Sequence, residues 1–206
     1  MRCLSVSAAL LAIALAAPAF AQGKARIETA APAVEPAQAK GAQKDKDDAG
    51  ATRAEPIGDL SRLTDKARAT RARIIEAAKT GDLNKVATVM QQNEMMPVFS
   101  FGGDRNPVEF WQSSYPDSDG IEILAILIEI LEMPFVHADK GTSQEMFVWP
   151  YFYAVPLAGL TPEQKVELFR LVTGTDWREM TDFGAYIFFR VGIAPDGVWH
   201  FFVAGD

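Results

Sequence analysis

The only two imidazoles in the chain are His137 and His200, and each stands in a run with the alternation of a β-strand. A neutral imidazole is the side chain best suited to moving protons near pH 7. Either histidine could act as a general base if Asp104, Asp139, Glu145 or Asp206 came close enough to orient it. The plainer alternative is a structural histidine satisfied by its neighbours. A catalytic zinc site takes three protein ligands, often at short helical spacing, and two distant strand histidines do not supply them. The sequence therefore calls for no metal and no cofactor.

Arg190 shares one face of a C-terminal ribbon with Tyr186, Trp199 and Phe201, while His200 lies on the neighbouring face. A guanidinium in such company can stack on an aromatic ring or hold a carboxylate at the floor of a pocket. Arg190, Tyr186, Trp199, Phe201 and His200 are thus the candidate ligand-binding residues. The competing account is an arginine that snorkels to water at a sheet edge.

Three further clusters carry weaker signals. Gly102-Gly103-Asp104-Arg105 precedes a capped helix, so its amides could cradle an anion, or it is simply a tight turn whose glycines supply positive φ. Arg62, Lys66, Arg68, Arg71 and Arg73 crowd one helix and could meet an anionic surface, or form a solvated face. The run Trp149-Pro150-Tyr151-Phe152-Tyr153 could be an aromatic platform or core filling. The chain has no G-x-S-x-G, P-loop or G-x-G-x-x-G pattern, so nucleophile-elbow and nucleotide-binding signatures lack support.

The elements that must position these residues follow from periodicity and capping. Leu60, Leu63, Ala67, Ile74 and Ala78 predict an amphipathic helix after Ser61 or Thr64, ending at Gly81. Asp82 then caps a second helix carrying Leu83, Val86, Ala87 and Met90. Residues 96–101 predict a strand. Asn106-Pro107-Val108-Glu109 opens a short helix, and Asp119-Gly120-Ile121-Glu122 opens a nearly all-apolar one over 121–133, the expected central helix.

Residues 135–138 and 146–152 predict strands joined by Lys140-Gly141-Thr142-Ser143. Thr161-Pro162-Glu163-Gln164 opens a helix with Val166, Phe169 and Val172 inward and Gly174 as its stop, followed by a helix over 177–183 capped by Asp176 and Glu179. The runs 186–193 and 198–204 flank Ala194-Pro195-Asp196-Gly197, which predicts a hairpin. Pairing Ile193 with Val198 puts Phe189, Val191, Ile193, Val198, His200 and Phe202 on one face. The other face then carries Tyr186, Phe188, Arg190, Trp199, Phe201 and Val203. Both faces are apolar, so each must be covered by helices, a partner chain or a ligand.

At the N-terminus, Met1-Arg2, an apolar run over 6–17 and Ala19-Phe20-Ala21 form the pattern of a cleavable signal peptide over 1–21, cut before Gln22. The run is too short for a membrane anchor. The one cysteine, Cys3, would leave with it, which excludes disulfides and thiol chemistry in the mature protein. Residues 22–58, rich in Ala, Pro and charge, predict a disordered tether. Its six basic groups balance six acidic ones, so the domain at 59–206 carries 13 positive against 21 negative groups. That surface disfavours a nucleic-acid partner. The expected location is periplasmic or secreted.

Ala77-Ala78-Lys79-Thr80-Gly81-Asp82-Leu83 and Asp196-Gly197-Val198-Trp199, with the order of elements between them, resemble the NTF2-like (SnoaL-like) fold. The resemblance spans roughly 64–204 and implies helices packed on a curved antiparallel sheet around a cone-shaped pocket. The helices between Thr161 and Phe183 depart from that plan. A fold of this kind hosts enzymes and binding modules alike, so it fixes no activity.

The sequence thus predicts an α+β domain in which helices pack on a curved antiparallel sheet ending in a C-terminal β-hairpin. Its leading function is a non-catalytic binding or interaction module of the bacterial periplasm, meeting a small molecule or an envelope protein. The alternatives are a pocket enzyme with a His/carboxylate pair, Arg190 orienting an acidic substrate, and a homodimer formed through a sheet face.

Overall fold

The computed structural model describes residues 55–205, all within the compact unit Asp48–Asp206. The expected signal peptide at 1–21 and the expected tether as far as residue 54 lie outside the described residues. Among those described, six α-helices pack on a four-stranded antiparallel sheet of order β1-β2-β3-β4, an α+β fold. The NTF2-like resemblance is not confirmed.

The N-terminal layer is built by local capping. A 3-10 turn at Leu60–Arg62 leads into α1 (Asp65–Lys79), where Thr64 accepts the N–H of Ala67. Asp82 accepts the N–H of Asn84 to start α2 (Leu83–Gln91), and Asn106 accepts that of Val108 ahead of α3 (Pro107–Ser114). Each cap satisfies an amide that the first helical turn leaves without a partner.

Helix α4 (Glu122–Glu132) buries Ile123, Leu124, Leu127, Ile130 and Leu131, as its apolar composition predicts. Burying each such side chain contributes about 1.5–3 kcal/mol. Asp119 does not cap this helix: it is left-handed at φ 49°, and the Ser118 hydroxyl accepts the N–H of Glu122 at 3.3 Å instead.

Strands β1 (Val136–Ala138) and β2 (Met146–Trp149) pair with His137 opposite Phe147. Strand β2 stops at Trp149, short of the expected 152. Pro150 follows, and Tyr151–Ala154 coil into a 3-10 turn. Strand β3 (Arg190–Ile193) pairs with β2 and with β4 (Trp199–Val203).

The expected hairpin is present, with Gly197 at φ 92° and its N–H donating to Ala194 O at 2.9 Å, but the register differs from the expected one. Ile193 lies opposite Trp199 and Gly192 opposite Phe201, so His200 is the extra residue of a bulge. The bulge turns Trp199 onto the face of Val191, Ile193 and Phe202 and away from that of Arg190 and Phe201.

Both sheet faces are covered from within the chain. One packs Phe147, Trp149, Val191, Ile193, Trp199 and Phe202 against α1–α4. The other packs Val148 with Tyr151, Phe152, Leu168, Val172, Met180 and Tyr186. Helices α5 (Pro162–Leu168) and α6 (Gly174–Phe183) belong to this second layer.

Two expectations fail there. Leu168 is the buried residue of α5, while Val166 and Phe169 are 68% and 47% exposed. Gly174 opens α6 instead of stopping α5, because Thr173 and Asp176 form a reciprocal capping box around it.

The predicted strand at 96–101 is reduced to one bridge, in which Val98 N–H donates to His200 O at 2.9 Å and Phe202 N–H to Val98 O at 2.8 Å. Backbone pairing at the other end starts at Ile57, which exchanges two hydrogen bonds with Phe135 at 2.8 and 3.0 Å.

Candidate functional site

The turn between β1 and β2 builds the one histidine–carboxylate pair among the described residues. Asp139 (φ 48°) and Gly141 (φ 80°) take the left-handed conformation, and Thr142 N–H donates to Asp139 O at 3.0 Å. Because β-strand side chains alternate, Glu145 falls on the same face as Phe147, and His137 stands opposite Phe147 on that face. Glu145 Oε1 is 2.7 Å from His137 Nε2, and Glu145 Oε2 accepts the N–H of Gly141 at 2.8 Å.

The backbone bond from Gly141, then the His137 bond, hold the Glu145 carboxyl below its ordinary pKa, against a smaller opposing effect of burial. An ionised carboxylate can only accept, so Nε2 is the donor in this hydrogen bond. In the tautomer that carries its single proton on Nε2, Nδ1 is the acceptor. The ring packs on Phe147 at 4.5 Å between centroids.

His137 lines a cleft of about 500 Å³ between residues 55–62 and the edge of β1. Ile57, Asp59, Arg62 and Glu55 contribute to the other walls, and the Ile57–Phe135 bridge ties that segment to the sheet. The Asp59 carboxylate accepts both the N–H and the hydroxyl of Ser61, at 2.9 and 2.7 Å, and the hydroxyl bond chiefly lowers its pKa. The cleft therefore offers a guanidinium, an oriented imidazole and carboxylates around an apolar Ile57. This is the geometry the pocket-enzyme reading requires, a histidine in a concave site within hydrogen-bond reach of a carboxylate.

His200 has no such partner: among the described residues no carboxylate hydrogen-bonds its ring. It lines a second cleft of about 540 Å³ between the two hairpin turns, with Thr142, Glu145, Met146, Pro195 and Asp196.

The five candidate ligand-binding residues are not gathered into one pocket wall. Trp199 is fully buried in the α1–α4 layer, and its indole N–H donates to Phe201 O at 2.9 Å. Tyr186 is buried in the other layer, and its hydroxyl donates to Phe189 O at 2.9 Å. Burial raises the Tyr186 pKa well above its ordinary value, with the Arg190 charge opposing. The Arg190 guanidinium stands 5.6 Å from the Tyr153 ring centroid, a cation–π contact with a ring outside the candidate set. Phe201 lies across Gly192 on the Arg190 face.

The other clusters take structural roles. Ser100 accepts the N–H of Gly102 at 2.9 Å and donates to Asp104, while Gly103 sits at φ 80°, which makes 102–105 a tight turn. In the basic helix, Arg68 donates to the carbonyls of Leu60 and Leu63, and Arg71 to that of Leu131 at 2.8 Å. Tyr151 and Phe152 fill the second core, while Tyr153 faces Arg190.

Sequence reasoning passed over one site. Phe99, Phe101, Phe110, Tyr115 and Phe189 surround an apolar cavity of about 240 Å³ beside the end of β4. Its available signal was the density of aromatics between 99 and 115, five in all.

Among the described residues no group of three or more His, Cys, Asp or Glu side chains could hold a metal ion, and no helix is long and apolar enough to cross a membrane. Comparison with protein-family models, curated proteins and solved structures finds no match for this chain.

Proposed function

We propose that the chain is an exported binding module that seats a small polar molecule in the cleft between residues 55–62 and β1. The observation that carries this reading is His137, held by Glu145 at 2.7 Å, in the wall of a cleft that also presents Arg62. A ring whose tautomer and orientation are set by a carboxylate, itself held by a backbone amide, is prepared to accept from a ligand without reorganising. With donors and acceptors both in the walls, the fitting class is a small amino acid or hydroxy acid.

Two histidines make the test direct. Free amino acids and short hydroxy acids, added at millimolar concentration, are expected to shift the ring-proton resonances of His137 and leave those of His200 in place. A panel that moves neither ring sinks the reading.

The pair also favours a second reading, in which Nδ1 of His137 removes a proton from a bound substrate while Glu145 orients the ring. If that is the function, Glu145→Gln lowers turnover much more than ligand affinity; under pure binding it changes affinity alone. The sheet-face homodimer is not retained, because each apolar face already packs within the chain.

Export belongs to the same proposal, supported by the apolar run and Ala19-Phe20-Ala21. N-terminal sequencing of protein recovered from the envelope should begin at Gln22. A mature protein that still carries Met1 and stays in the cytoplasm overturns it. The NTF2-like likeness remains a proposal at the level of fold and adds no residue to the site.

A further inference from the structure

We infer that the cavity beside the end of β4 is a second ligand site, built for a small uncharged aromatic molecule of one or two fused rings. The inference starts from the wall. Phe99 and Phe110 present rings 5.7 Å apart and tilted 56° to one another, and Phe189, packed on Phe202 at 5.0 Å, is a further wall. Aromatic rings pair edge to face or offset, so a wall of tilted rings offers both the faces and the edges that an inserted ring needs.

Size sets the class of ligand. An apolar cavity of roughly 150 Å³ holds benzene, and this one is about 240 Å³, which suits a phenol or an indole and is small for anything drug-sized. None of the lining residues is charged, so an ionised ligand would be desolvated without a counter-charge. A polar handle on the ring still has partners. Ser114 and Tyr115 both line the cavity, and neither side chain is bonded to another described residue. Burial, and then the Glu122 charge, push the Tyr115 pKa up to about 12, so its hydroxyl stays protonated and able to donate.

Phe101 makes the site more than a packing gap. It lines the cavity yet is 66% exposed, between the Val98 bridge and the turn at Gly103. A ligand ring under Phe101 would remove apolar surface from water on both partners. This site is separate from the His137 cleft, with no lining residue in common.

The experiment uses the full mature chain with indole, indole-3-acetate and cyclohexanol as probes, followed by calorimetry and by the two histidine ring signals. Indole is expected to bind while both histidine signals stay fixed, and the acetate and cyclohexanol to bind at least about tenfold more weakly, a difference of roughly 1.4 kcal/mol. Phe101→Ala should weaken indole by about the same factor, and Ser114→Phe should fill the cavity and abolish binding. Both positions are exposed, so the thermal midpoint checks that each variant is folded. Absence of indole binding overturns the inference. So does equal binding of cyclohexanol, equal binding to both variants, or a shift of His137 that places indole in the other cleft.

Discussion

The carboxamide of Asn93 pairs with the backbone of Trp199 as a neighbouring strand would. Its Oδ1 accepts the Trp199 N–H at 2.9 Å, and its Nδ2 donates to the Trp199 carbonyl at 2.8 Å. Strand β4 is the last of the sheet, and an open edge is a template for another chain. Asn93 at Trp199 and Val98 at His200 and Phe202 together occupy that edge.

Replacing Asn93 by Ala removes both partners of a largely buried backbone. The expected loss is about 1–3 kcal/mol in urea unfolding, the usual cost of stranding such groups. Asn93→Asp keeps the acceptor but sets a carboxylate oxygen against the Trp199 carbonyl, so it should lose at least as much as Ala. An Ala variant as stable as the parent would mean that water replaces the amide without cost.

Gly192 lies beneath Phe201. A Cβ at 192 would stand 2.5 Å from two atoms of the Phe201 ring, inside any permissible contact. Gly192→Ala should therefore destabilise by about 1–3 kcal/mol, as overpacking does. Adding Phe201→Leu should recover part of that loss, so the two changes are non-additive in a double-mutant cycle. Simple additivity would show that backbone conformation, and not the ring, requires glycine here.

The same pair explains where the sequence stopped being legible. Caps at Thr64, Asp82, Asn106 and Thr161 were readable because a cap is settled within three residues. The bulge at His200 was not, since it is a shift in the pairing of β3 with β4 at Gly192 and Ile193, which alternation along one strand cannot report. Trp199 accordingly fell on the wrong face. Residues 96–101 have strand composition, yet Asn93 already takes the neighbouring part of the β4 edge and leaves room for one bridge. At the site, His137 was legible as a residue type and Glu145 only as one of four carboxylates. The choice among them needed the register that puts 137, 145 and 147 on one face. The aromatics crowded over 99–115 give only half of the aromatic cavity, whose walls come from segments about 90 residues apart, at Phe99 and Phe189.

Tyr115 supplies a prediction at high pH. Burial raises its pKa to about 12, whereas an unfolded tyrosine ionises at about 10. A raised value means that the stabilising difference is whole below about pH 10 and is lost as pH climbs towards 12. Absorbance titration should show a tyrosine ionising near 12 that disappears in Tyr115→Phe, and that variant should lose less stability over the same interval. A Tyr115→Phe titration identical to the parent's contradicts the burial on which the aromatic site relies.

Glu145 gives the corresponding prediction in acid. Its carboxyl is held below the ordinary range by the Gly141 N–H first and the His137 ring second, so its pKa rises on unfolding. For a depressed group the stabilisation is present above the unfolded pKa, about 4.3 for glutamate, and is lost as pH falls through the lowered folded value. Urea midpoints should therefore decline below about pH 4 with a component that Glu145→Gln lacks. The glutamine keeps one acceptor for the His137 ring, so the parent and variant should converge in acid and separate towards neutrality. Parallel pH profiles would show that the carboxylate is solvated, without hold on His137, and would remove the oriented imidazole on which the cleft depends.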